Sequence, residues 1–127
     1  MQIRLTSVLV DDQEKALRFY TDVLGFEKKH DFPAGGGRWL TVTSPEGLEG
    51  MELLLEPNGI PVAQTYQRAL YEQGIPATMF FSTDIQAEYE RLKERGVVFA
   101  GPPQKTESGT MAVFDDTCGN LILLHEV

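Results

Sequence analysis

Cysteine is almost absent: Cys118 is the single one in 127 residues, so an intrachain disulfide is excluded. Histidine is scarce too, with His30 and His125 alone, which limits imidazole chemistry to two positions. Cations are outnumbered, 11 Lys and Arg against 19 Asp and Glu for a net charge of −8. A nucleic-acid partner is therefore not expected, because phosphate-backbone binding needs clustered positive charge. Long apolar runs are missing: no window approaches the roughly 20 residues of a membrane helix. The start, "MQIRLTSVLVDDQ", lacks a basic segment followed by a long apolar one, so no signal peptide and no membrane partner are expected, and a cytoplasmic location is.

What is present suits one ordinary domain. The chain is 42% hydrophobic and 24% charged, enough apolar material for a core without a disulfide or a structural metal. Ile3 to Val10 reads as a strand. Asp11-Asp12 stops it and can cap a helix, and Asp11 followed by Glu14 approximates a capping box. Ala16, Phe19, Tyr20, Val23 and Leu24 then recur on one helical face, and Gly25 ends the helix. Strands are expected over Phe26 to Phe32, Arg38 to Thr43 and Met51 to Glu56. Pro33 to Gly37, "PAGGG", reads as a flexible loop or flap. A break at Pro57 to Pro61 precedes a short helix, Val62 to Gln73.

The pattern then repeats. Ala77 to Ser82 is a strand, Asp84 caps a helix carrying Ile85, Tyr89 and Leu92, and Gly96 ends it. Val97 to Ala100 is a short strand, "GPPQKTESG" a loop, and Thr110 to Phe114 and Leu121 to Glu126 the last strands. The reading is α+β: a single domain over 1–127, with module one at about 1–56, a linker and short helix over 57–75, and module two at about 76–127. Neither βαβββ unit can bury its open face alone, so two curved mixed sheets around a cleft are expected, with the cleft as the ligand site.

"VDDQEKALRFYTDVLGF", the doubled βαβββ pattern and "FDDTCGN" before the last strand resemble the glyoxalase / bleomycin-resistance / extradiol-dioxygenase superfamily, the vicinal oxygen chelate fold. The resemblance covers nearly the whole chain. It implies four metal-ligand positions, which fall on Leu5, Glu52, Ala77 and Leu123. Leucine and alanine offer no electron pair, and a shift by one residue, to Thr6, Thr78 and Ile122 or Leu124, does not rebuild a site. No cofactor is therefore expected, and a divalent metal is not expected to bind.

Glu52 is the residue singled out as a general base or a counter-ion for a cationic ligand group, since a carboxyl among apolar neighbours has its pKa raised. The plainer reading pairs it with a cation, Arg38 or Arg4. Leu5, Ser7, Arg38, Trp39, Glu52, Ala77, Met79, Met111 and Leu123 form the expected ligand-binding set. About half of Trp39, Met79, Phe80, Phe81, Met111 and Phe114 should face the ligand. His30 and His125 read as surface residues, with His125 and Glu126 on opposite faces. Cys118 reads as an inert turn residue. No Ser–His–acid arrangement involves Ser7 or Ser82. The expected protein is a metal-free binder of a small organic ligand, working as a homodimer. A glyoxalase-like lyase or dioxygenase-type enzyme with an unusual ligand set is an alternative, and so is an interaction protein that keeps only the fold.

Overall fold

Asp12 closes strand β1 (Leu5–Val10) and caps helix α1 (Gln13–Arg18), its carboxylate accepting from the Lys15 N–H at 3.0 Å. This computed structural model describes all of Met1–Val127. Asp11 does not open a capping box; it pairs with the Lys15 ammonium at 3.0 Å, one turn along the helix. The single helix expected up to Gly25 changes pitch halfway. Phe19–Val23 is a π-helical turn, with the Leu24 N–H donating to Phe19 O at 3.0 Å. The wider turn coincides with the burial of two adjacent aromatics, Phe19 and Tyr20, in edge-to-face contact at 5.5 Å.

Three strands follow: β2 (Glu27–Ala34), β3 (Gly37–Thr43) and β4 (Glu52–Pro57). They form a sheet in the order β1-β4-β3-β2, parallel between β1 and β4 and antiparallel elsewhere. The helix crossover between β1 and the later strands makes the parallel pair possible. "PAGGG" is no flap. Pro33 and Ala34 lie in β2, and Gly35 and Gly36 make a two-residue hairpin turn at φ of 55° and 83°. Positive φ at both positions is what such turns require, and glycine meets it without a Cβ clash.

Helix α2 (Pro61–Glu72) leads into the second unit: β5 (Thr78–Phe81), α3 (Ile85–Glu94), β6 (Gln104–Thr106), β7 (Gly109–Asp115) and β8 (Leu121–Glu126). The sheet order is β5-β8-β7-β6, again with the first and last strands parallel. Asp84 caps α3 as Asp12 caps α1, accepting from the Ala87 N–H at 3.1 Å. Two expectations need correction here. Val97 to Ala100 is not a strand but a segment holding one isolated bridge, Phe99 to Phe114. The expected loop "GPPQKTESG" contains β6, because Gln104–Thr106 finds a free edge of β7 to pair with.

The architecture is thus α+β, with two four-stranded mixed sheets and three α-helices. It divides into two compact units, Met1–Gln64 and Thr65–Val127. In the first, Val8, Val10, Leu40, Val42, Leu53 and Leu55 alternate onto the helix side of the sheet and are buried. In the second, Ala112, Phe114, Ile122 and Leu124 do the same beneath Ile85 and Leu92 of α3. Each fully buried large aliphatic or aromatic side chain contributes about 1.5–3 kcal/mol. No helix is long and apolar enough to cross a membrane.

Candidate functional site

Alternation leaves the other face of each sheet free of its helix, and most of the sequence-predicted site residues stand there. In the first unit the parallel register puts Leu5 opposite Glu52 and Ser7 opposite Leu54. Trp39 and Phe32 are register partners on the same open face, and so are Thr41 and His30. A bulge between Lys28 and His30 makes that last pairing possible. It lets the His30 N–H donate to the buried Thr41 hydroxyl at 3.2 Å and turns the imidazole toward β4.

Glu52 is reached from that edge. Its Oε1 lies 3.7 Å from His30 Nε2 and its Oε2 lies 4.0 Å from Lys29 Nζ. Neither distance is a hydrogen bond. Oε1 is buried and has no hydrogen-bond partner, while the Glu52 side chain is 18% exposed. An acceptor left in that condition costs stability and needs an explanation.

The expected cations are not the partners of Glu52. Arg38 points to the helix side of the sheet, where its guanidinium holds Asp31 at 2.8 and 3.0 Å and Glu14 at 2.9 Å. Asp31 is held below the ordinary carboxylate range by the hydrogen bonds from Arg38, and Arg38 is pushed upward by Asp31 and Glu14. Arg4 touches Glu52 only through the backbone, its carbonyl accepting the Glu52 N–H at 3.0 Å, and its guanidinium lies against Gly50. Alternation assigns Arg38 to the face away from Glu52 once β3 is placed, but sequence spacing alone did not identify Lys29 and His30 as its neighbours.

In the second unit Met79 pairs with Leu123 and Phe81 with His125 along β5 and β8. Met111 pairs with His125 along β7 and β8. All lie on the face away from α3. Ala77 stands just before β5 on that face, its N–H donating to Leu121 O at 2.9 Å. Phe80 and Phe114 turn to the helix side, so they pack rather than face a ligand. His125 is not a surface residue: it is 8% exposed, and its Nε2 sits 2.9 Å from the Ser108 carbonyl. Glu126 points the other way, as expected, and its carboxylate accepts from the Ile85 N–H at 2.7 Å, at the start of α3.

Cys118 is buried in a polar knot. The Asp116 carboxylate accepts from the Cys118 and Asn120 N–H groups at 2.7 and 3.0 Å and from Asn120 Nδ2 at 2.7 Å. Gln67 of α2 donates to Cys118 O and Asn120 Oδ1, both at 3.1 Å. The Asp116 carboxylate and the Asn120 and Gln67 amides bond to one another and to the turn backbone, so the knot shapes the turn before β8.

These donors do not fit a divalent metal. Leu5, Ala77 and Leu123 present hydrocarbon only, and no three His, Cys, Asp or Glu side chains gather so that they could hold an ion.

Two four-stranded sheets with the same strand order define a chain of the vicinal oxygen chelate fold. The family model described as Glyoxalase/Bleomycin resistance protein/Dioxygenase superfamily matches residues 2–124, and the chain belongs to that superfamily. It is 57% identical over 122 residues to the uncharacterized protein YurT of Bacillus subtilis, covering 96% of each chain. Among solved structures it is similar to UcmS2, at 33% identity and a TM-score of 0.83, covering 98% of this chain and 97% of that one. It is also similar to TnmS3, an antibiotic binding protein from Streptomyces sp. CB03234. The identity there is 33% and the TM-score 0.78, with 99% and 95% of the two chains covered.

Proposed function

We propose that this protein binds a small organic ligand without a metal, and that Glu52 receives a cationic or hydrogen-bond-donating group of that ligand. The observation that carries the reading is the Glu52 Oε1 atom: buried, on a sheet face away from the helix, and without a hydrogen-bond partner. A ligand donor would supply the missing bond, and a charge-assisted one is among the stronger single contacts available. Leu5, its apolar register partner, offers contact area beside it, and the half-buried Trp39 lies on the same sheet face further along β3. The net charge of −8 favours a cationic ligand in the encounter. The likeness to TnmS3, an antibiotic binding protein, supports small-molecule binding over a purely structural role.

The reading includes a homodimer. Leu5 at 37% and Phe32 at 50% exposure leave apolar area on the same sheet face, of the kind that association covers.

Metal analysis and a thermal-shift screen test this together. Protein purified without chelator and dialysed should carry no stoichiometric metal. Cationic aromatic compounds should raise the melting temperature, and Glu52→Gln should weaken the best of them by about 10-fold or more. Near-stoichiometric Ni, Zn, Fe or Mn that survives dialysis and disappears in Glu52→Gln would overturn the reading in favour of a metal enzyme.

A further inference from the structure

His125 carries the second orphaned group of the molecule. A carbonyl can only accept, so the contact of 2.9 Å to Ser108 O places the proton of the neutral imidazole on Nε2. Nδ1 is then a bare acceptor. It is buried and has no hydrogen-bond partner, in a residue more than nine-tenths buried. The arrangement is built rather than incidental. Gly109 sits at a φ of 132°, and a Cβ there would collide with the Glu126 carbonyl oxygen and come within 2.6 Å of His125 Nε2, so glycine lets the β6–β7 turn close over both the β8 backbone and the ring.

The neighbours of the imidazole on this face are apolar, and two of them are exposed. The Phe81 ring lies 5.4 Å from the imidazole and is 67% exposed, and Met79, on the same face, is 38% exposed. Leu123 and Met111 border them through the strand register. An exposed aromatic and a thioether beside a latent acceptor match a flat aromatic group that carries its own donor.

We propose that the open face of β5, β7 and β8 is a ligand subsite for an aromatic ring bearing a phenolic O–H or ring N–H, read by His125 Nδ1. It rests on the reading of the chain as a small-molecule binder and names the ligand's chemical class. Phe81 stacks on the ring and, by turning, opens the path to the imidazole. Met79 and Leu123 fill the floor. An aryl ether of the same shape gains the stacking but leaves Nδ1 unpaired, so the subsite selects donors over their ethers.

The matched probes are 2-naphthol and 2-methoxynaphthalene, titrated against the full chain. The wild type should prefer the naphthol by about 3- to 10-fold. His125→Phe should bind both alike, and Phe81→Ala should weaken both severalfold. A ¹⁵N spectrum of the wild type, with only two histidines to assign, is independent of any variant's folding. Free protein should show His125 as the Nε2–H tautomer with an unbonded Nδ1. The naphthol should shift the Nδ1 resonance toward the hydrogen-bonded range, and the ether should not. Equal binding of the two probes by the wild type overturns the proposal, as does a preference that survives in His125→Phe. An Nδ1 resonance that moves with protein concentration instead would assign the face to a second copy of the chain and overturn it as well. Cationic aromatics that still bind and are lost in Glu52→Gln would confine such a failure to this subsite. Failure of every compound to bind would sink the proposed function with it.

Discussion

The two units share a strand order and differ in how side chains secure it. In the first, the helix reaches to the sheet. Gln13, the first residue of α1, donates to Arg38 O at 2.7 Å and Leu55 O at 2.8 Å and accepts from the Arg38 N–H at 3.0 Å. In the second, the sheet reaches to the helix. Glu126 of β8 accepts from the N–H of Ile85, the first residue of α3. The connections before the last strand differ more. Residues 115–120 of the second unit are held by the Asp116 knot. Ser44 to Gly50 of the first unit are largely exposed, with Gly47 N–H to Ser44 O at 3.0 Å inside the loop. Topology therefore constrains where strands lie, and it leaves open which side chains pin them.

The largest expected effect tests that contrast in the connections. Asp116→Ala should cost about 3–5 kcal/mol in urea unfolding, because it strands buried donors. Glu46→Ala, in the loop of the first unit, should stay within about 0.5 kcal/mol. Similar losses at both positions would erase the distinction. Next come the helix ties. Gln13→Ala breaks three partly buried bonds and should cost about 1–3 kcal/mol, against about 1 kcal/mol for Glu126→Ala, which breaks one at a helix N-terminus. A larger loss at Glu126 would reverse the ranking.

The smallest effects separate the units by pH. Asp31 in the first unit is held below the ordinary carboxylate range by Arg38. A carboxyl depressed on folding contributes stability above its unfolded pKa of about 4 and loses it as pH falls through the folded value. Asp31→Asn should therefore flatten the acid limb of a melting-temperature profile below about pH 4. Tyr71 in the second unit is raised above the ordinary phenol by its hydrogen bond to Asp115. A raised phenol contributes below its unfolded pKa of about 10 and loses that as pH climbs through the folded value. Tyr71→Phe should flatten the alkaline limb and leave the acid limb as it was. A variant that flattens the opposite limb would show that neither the Asp31–Arg38 nor the Tyr71–Asp115 pairing sets that limb.

Much of the fold was legible because its signals are local. Asp12 and Asp84 announce helix starts by hydrogen-bonding to N–H groups three residues on, and Gly25 and Gly96 announce ends by positive φ. The π turn at Phe19–Val23 was not legible, since the apolar spacing fits an α-helix equally well. Strand β6 was hidden because Gln104–Thr106 carries no apolar alternation and pairs only along an edge. Of the candidate site, the resemblance put Leu5 and Glu52 on strands of one module, and the two are register partners. The companions of Glu52 were not legible, and neither was the burial of His125, which the β6–β7 turn covers from outside its own strand.

By itself the sequence determined a doubled βαβββ chain, its capped helices, and the hydrocarbon at Leu5, Ala77 and Leu123, since caps, glycine turns and residue chemistry act within a few positions. Only the tertiary structure decided that Lys29 and His30, not Arg38, approach Glu52, and that His125 is enclosed with one nitrogen unpaired. Those outcomes depend on which strand lies beside which and on a bulge in β2. Pairing between distant segments sets both.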